Sequence, residues 1–98
     1  MAFIGTLASA AGNGNTPAIT AKGGWLYSAR IGGTFDSATV KIQIYDDDLA
    51  EWIQVGSDIT SASVQNIEMA SGTQVRLNVA GGGGSVSING RLKLLRNR

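Results

Sequence analysis

The run Asp46-Asp47-Asp48, with Glu51 three positions on, is where carboxylates gather in this sequence. An oxygen-rich loop of that kind can hold a hard cation such as calcium. Its acids are consecutive, however, whereas an EF-hand loop spaces them at alternate positions around a glycine. Consecutive acids before Leu49-Ala50 read as turn chemistry. A glycosidase needs two carboxylates facing each other across a cleft, and acids packed into one tight turn of a small domain offer no such depth.

Histidine and cysteine are both absent. That removes the commonest general base, the commonest nucleophile and the two best transition-metal ligands, so no Ser-His-Asp or Cys-His arrangement can form. A Ser-Lys dyad needs only residues that are present, but no spacing points to one. The glycines at positions 81 to 84 match a phosphate loop in glycine count alone, since neither a Lys-Ser/Thr pair nor a helix follows them. The expectation is a non-enzymatic chain with no catalytic residue, no cofactor and no metal.

Two other groupings concern binding. Trp25, Tyr27, Tyr45 and Trp52 are candidates for a sugar-stacking platform, although core and interface packing are commoner uses of such side chains. At the C-terminus, Arg91, Lys93, Arg96 and Arg98 gather half of the 8 basic residues, leaving four against 7 acidic ones in the rest of the chain. Without interleaved aromatics this basic tail does not read as a nucleic-acid site. It reads as an edge strand that discourages unwanted pairing, or as a contact for an acidic protein surface.

These residues are carried by strands. Ala38 to Tyr45 alternates without error, sending Val40, Ile42 and Ile44 to one face and Thr39, Lys41 and Gln43 to the other. Trp25 to Ile31 places Trp25, Tyr27, Ala29 and Ile31 together, and Gly32-Gly33 is expected to end that strand. Glu51 to Val55 returns as a hairpin partner with Trp52 covering a sheet edge, and Gly56-Ser57-Asp58 is expected to turn again. Ser63 to Met69, Thr73 to Val79 and Ser85 to Leu94 follow, the last with Gly90 as a bulge or bend. Seven or eight strands with glycine turns predict an all-β, antiparallel β-sandwich, jelly-roll-like, with a closed barrel as the other option.

The first 16 residues read differently. The stretch ASAAGNGNT separates Phe3, Ile4 and Leu7 from the regular pattern that begins at Pro17, which predicts an N-terminal extended arm over residues 1–16 and a β-sandwich domain over 17–98. Phe3, Ile4 and Leu7 would then pair with an edge strand of this chain or of a neighbour. No basic leader or long apolar run suggests secretion or a membrane span. A cysteine-free chain suits cytoplasmic synthesis and later life outside the cell. With 98 residues the core is small, and self-association would add to it.

The segment Gly32-Gly33-Thr34-Phe35-Asp36-Ser37-Ala38-Thr39-Val40, followed by Trp52-Ile53-Gln54-Val55-Gly56, resembles the GTF-x-x-A-T-V and W-x-x-V/I-G strands of small tailed-bacteriophage virion proteins. Gly72-Thr73-Gln74-Val75-Arg76 to Val79 and Ser85 to Ile88 are similar to their later strands, so the likeness spans about residues 24 to 95. Asp46 to Ala50 replaces the usual Asp-Gly-Gly turn. The resemblance implies a capsid decoration (cement) protein on the virion surface that binds the major capsid protein as a homotrimer. Phe3, Ile4 and Leu7 would add to a partner sheet, and Arg91, Lys93, Arg96 and Arg98 would meet acidic groups. A carbohydrate-binding module, or a head-fibre or tail accessory contacting host glycans, is the alternative.

Overall fold

Val40 and Ile42 on one strand, and Val75, Leu77 and Val79 on its neighbour, are all buried to 1% exposure or less. Their alternation with polar residues turns one face of a sheet inward. In the computed structural model, which describes residues 2–96, this sheet faces a second one. The strands are β1 (Ala2–Ala11), β2 (Gly14–Asn15), β3 (Ile19–Thr20), β4 (Leu26–Thr34), β5 (Thr39–Asp46), β6 (Glu51–Ile59), β7 (Ser63–Glu68), β8 (Gln74–Ala80) and β9 (Ser87–Arg96). Sheet A has the order β1-β9-β4-β7, and sheet B the order β2-β8-β5-β6 with β3 also on β8. Every pairing is antiparallel. The chain is thus all-β, two antiparallel sheets packed together.

Sheet A contributes Leu7, Tyr27, Ala29, Ile31, Ile67, Ile88 and Leu92 to the interior, and sheet B contributes Val40, Ile42, Ile59, Val75, Leu77 and Val79. Full burial of each larger aliphatic side chain stabilises the fold by about 1.5–3 kcal/mol. Tyr27 is buried with its hydroxyl satisfied, donating to the Gly24 carbonyl at 3.0 Å and accepting from the Gly24 N–H at 3.2 Å.

The two sheets are bridged differently at their two lateral sides. On one side the chain crosses from β1 to β2 and β3, held to β8 by Thr16. The Thr16 N–H donates to the Leu77 carbonyl at 2.9 Å, and its hydroxyl accepts from the Leu77 N–H at 2.9 Å. Pro17 then interrupts the ladder, because it has no N–H to donate. On the other side Gln65 of β7 uses its side-chain amide as a strand would. It accepts from the Ser57 N–H at 3.2 Å and donates to the Ser57 carbonyl at 3.1 Å.

Several local expectations change. Gly32-Gly33 does not end a strand, since β4 runs through both to Thr34. Gly33 has a φ of 113°, and a Cβ there would collide with the Ser87 carbonyl of β9, so the glycine serves close strand approach rather than a turn. Gly56-Ser57-Asp58 is not a turn either. β6 continues to Ile59 through a bulge, Ile42 pairing with Val55 and Val40 with Ile59, and Gly56 absorbs the extra length at a φ of 75°. Gly90 does not bend β9 against β4, whose register passes straight through it. A Cβ at Gly90 would come within 3.0 Å of Ile31 Cδ1 and 3.1 Å of Leu77 Cδ1, so Gly90 is small because the sheets pack closely there.

Residues Ala2–Ala11 run as β1 along the edge of sheet A, paired with β9 of the same chain through three register shifts. The Ser71-Gly72 turn forms as the sequence suggests. Thr73 N–H donates to the Ala70 carbonyl at 3.2 Å, and only Gly72 of the two central residues takes a positive φ, the pattern of a type II turn.

Candidate functional site

Alternation and register together decide what the outer face of sheet A displays. Tyr27, Ala29 and Ile31 point inward on β4, so Ser28 and Arg30 point out. The register sets Arg30 opposite Arg91 of β9 and Val64 of β7, and Arg91 opposite Thr6 of β1. One pleat away, Ser28 lies opposite Lys93 and Asn66, and Lys93 opposite Phe3. Arg30, Arg91 and Lys93 therefore occupy adjacent positions on two central strands. The four strands of sheet A hold one carboxylate, Glu68, against Arg30, Arg91, Lys93 and Arg96.

Like charges directly opposed across a pair of strands repel each other, a local cost in the sheet. Between Arg30 and Arg91 opens a cleft of about 240 Å³, lined by both arginines with Gly32, Asn89 and Gly90. The Arg91 guanidinium also lies 5.8 Å from the centroid of the Phe3 ring, which is 54% exposed. In the neighbouring row, the Ser28 hydroxyl is buried without a hydrogen-bond partner among the described residues. An acidic side chain entering from outside would meet guanidinium donors able to form charge-assisted hydrogen bonds.

The residues singled out in the sequence are divided by this geometry. Phe3, Arg91 and Lys93 come together on the outer face. Arg96 is exposed near the end of β9, opposite Leu26, and its carbonyl accepts from the Trp25 N–H at 3.1 Å. Leu7 faces the other way and is 1% exposed in the core, with Ile4 packed against it. Arg98 lies outside the described residues. Arg30 was missed because its role depends on the pairing of β4 with β9, about 60 positions away, which alternation within one strand cannot reveal.

Sheet B presents a different surface. Lys41 Nζ donates to Asp58 Oδ1 at 2.8 Å, and Gln54 Nε2 donates to the same oxygen at 2.7 Å. These hydrogen bonds, Lys41 first, hold the Asp58 carboxyl below the usual aspartate range. Arg76 Nε donates to Gln43 Oε1 at 2.9 Å, while its guanidinium lies 4.1 Å from the centroid of the Trp52 ring. Tyr45 meets Trp52 edge to face at 5.4 Å.

The four aromatics do not make one platform. Tyr27 is in the core, Trp25 is 40% exposed before β4 of sheet A, and Trp52 lies on sheet B beneath Arg76. The acidic turn has its own use: Asp46 Oδ1 accepts the N–H groups of Asp48 and Leu49 at 2.9 and 3.1 Å. The glycine loop is likewise occupied by protein. Asn13 Oδ1 accepts from Gly82 N–H at 3.0 Å, and Asp36 accepts from Gly83 through its carbonyl and from Ser85 through its carboxylate. No family model and no curated protein matches the sequence.

Proposed function

We propose that this chain is a structural protein of a tailed-bacteriophage particle, a decoration (cement) protein that binds and stabilises the head shell as a homotrimer. Its partner is the major capsid protein, and its place is the capsid surface after synthesis in the host cytoplasm. The observation that carries the docking half of this reading is the basic outer face of sheet A, where Arg30, Arg91 and Lys93 adjoin one another beside an exposed Phe3. Basic residues brought side by side on one face suit a partner surface of opposite charge.

The fold and the charge distribution support the same reading. Counted as one broken strand, β2 and β3 leave four strands in each sheet, and the chain alternates between sheets except at the β5–β6 hairpin, as in a jelly roll. β1 is the candidate arm, joined to the rest through the glycine-rich segment after it. Asp46, Asp47, Asp48 and Glu51 cluster around the β5–β6 turn of sheet B, so the two sheets differ in polarity. Such a domain orients itself on an acidic shell with sheet A inward. Repetition over many sites makes a modest contact sufficient.

Electron cryo-microscopy of particles of the phage that encodes the chain tests the assignment. Density for the two-sheet domain on the outer shell, sheet A toward the capsid protein, is the expected result. Its absence from the particle would sink the reading.

One observation favours a second reading, a glycan-binding module on the particle. Tyr45 forms a wall of a cleft of about 270 Å³ shared with Asp47, Ser71, Thr73 and Gln74, which joins an aromatic ring to hydroxyl, amide and carboxylate groups. A glycan array with the purified protein, compared with Tyr45→Ala, decides it.

A further inference from the structure

We infer that sheet A is completed by a second copy of this chain, head to tail, with β1 of one copy laid against β7 of the next. The inference rests on the oligomeric decoration reading above and names the surfaces that make the oligomer. β1 and β7 are the two edge strands of sheet A, and neither has an outer strand partner among the described residues. Unpaired edges are templates for another strand unless charge or proline blocks them.

β1 carries neither charge nor proline, and three register shifts along its pairing with β9 are its one irregularity. The first 21 residues contain no charged side chain, and they span β1, β2 and β3, the whole of that lateral side. A groove of about 450 Å³ runs along it, with Leu7, Ala8 and Ile19 among its walls.

Three features select β7 of another copy as the occupant, rather than a second β1. The first is direction. Because all three pairings in the sheet are antiparallel, β1 and β7 run in opposite directions. Rotation about an axis parallel to the strands therefore brings β7 beside the next β1 as another antiparallel pair, and repeated rotation closes a ring. The second is exposed apolar surface. Phe3 is 54% exposed on β1 and Val64 is 60% exposed on β7, at opposite edges of one outer face, so a head-to-tail contact covers both. The third is charge. Glu68 is the carboxylate of β7, and a neighbouring β1 would bring it within two strand spacings, about 10 Å, of the basic β9. Pairing β1 with β1 would instead bring two basic β9 strands toward each other.

A closed ring of three has no free β1 edge left to aggregate.

Sedimentation velocity of the purified full chain, without particles and across about 1 μM to 1 mM, tests the inference. The wild type should form trimers. Thr6→Lys on β1 and Val64→Lys on β7, both exposed positions, should each weaken association by about tenfold or more, a loss read directly as a shift toward monomer. Mixing the two variants should give dimers that grow no further, because each supplies the edge the other has lost. Thr6→Val and Val64→Thr should still assemble, which separates charge at the edge from damage to the fold. A monomeric wild type, dissociation by Thr6→Lys but not by Val64→Lys, or failure of the mixture to dimerise would each overturn the arrangement. Particle binding is a separate measurement: a trimer that ignores the shell counts against the decoration reading alone, and a bound monomer against the ring alone.

Discussion

Arg30 of β4 and Arg91 of β9 face each other across adjacent antiparallel strands, two guanidinium groups where a sheet ordinarily places opposite or neutral partners. In the strand register Val64 lies on the far side of Arg30 and Thr6 on the far side of Arg91, and neither carries a charge. Folding tolerates this pair because the core beneath it, with Tyr27, Ala29, Ile31 and Leu92 buried, supplies far more than the repulsion removes.

A double-mutant cycle with Arg30→Thr and Arg91→Thr should therefore give an unfavourable coupling of about 0.2–1 kcal/mol between the two arginines. The coupling should shrink as salt is raised, because both groups are exposed and screened. Urea unfolding of the four proteins at low and high salt measures it. A favourable coupling, or one indifferent to salt, would mean that the pair is neutralised within the domain.

On sheet B the sign reverses, and an acid limb follows. Hydrogen bonds from Lys41 and Gln54 depress the folded pKa of Asp58, so its contribution to stability is present above the unfolded value and fades as pH falls through the folded one. In a pH series of carbon-detected NMR spectra, Asp58 should titrate below the ordinary aspartate range. Lys41→Gln should move its midpoint upward, since the first of the two causes is removed. A midpoint unmoved by Lys41→Gln would remove Lys41 as the main cause.

Glycines should respond to alanine according to what surrounds them. Gly90→Ala forces a methyl against Ile31, Leu77 and Leu7 where the two sheets meet, which should destabilise the fold by about 1–3 kcal/mol. Gly12→Ala meets nothing within 4 Å, and Gly12 is absent from the residues of positive φ. It should be neutral or stabilise by about 0.4–1 kcal/mol through the unfolded chain. Thermal unfolding of the pair checks both, and equal effects would show that the sheets do not close on Gly90.

The same glycines mark how far the sequence could be read. Alternation identified β5 and β8 because Val40, Ile42, Val75, Leu77 and Val79 each sit on a face buried by the opposing sheet. Gly32-Gly33 and Gly56 misled because glycine has two local meanings, a turn or a close backbone approach, and only the partner strand decides which applies. Leu7 and Phe3 were legible as apolar but not as residues of opposite faces, because the register shifts of β1 break the simple period of two. The basic tail was visible at Arg91 and Lys93. Its completion by Arg30 was not, since that depends on a contact across most of the chain.

The turn between β4 and β5 gives the last prediction. Asp36 and Ser37 both have positive φ, at 46° and 70°, and the Ala38 N–H donates to the Phe35 carbonyl at 2.8 Å, which defines a type I′ turn. That turn favours Asn or Asp followed by glycine, so Asp36 suits its position and Ser37 does not. Ser37→Gly should therefore stabilise the protein, by up to about 1 kcal/mol, as the steric cost of the left-handed conformation exceeds the entropy that glycine adds. Asp36 cannot be relieved in the same way, because its carboxylate accepts the Ser85 N–H at 2.9 Å and its carbonyl accepts the Gly83 N–H at 3.0 Å. Asp36→Gly keeps the carbonyl and relaxes the backbone but loses the carboxylate bond, whereas Asp36→Ala loses that bond and keeps the strain. Asp36→Ala should be the less stable of the two by about 1 kcal/mol, and both should speed amide exchange at Ser85. Equal stabilities for these two variants, with Ser37→Gly no better than wild type, would show that the turn carries no strain.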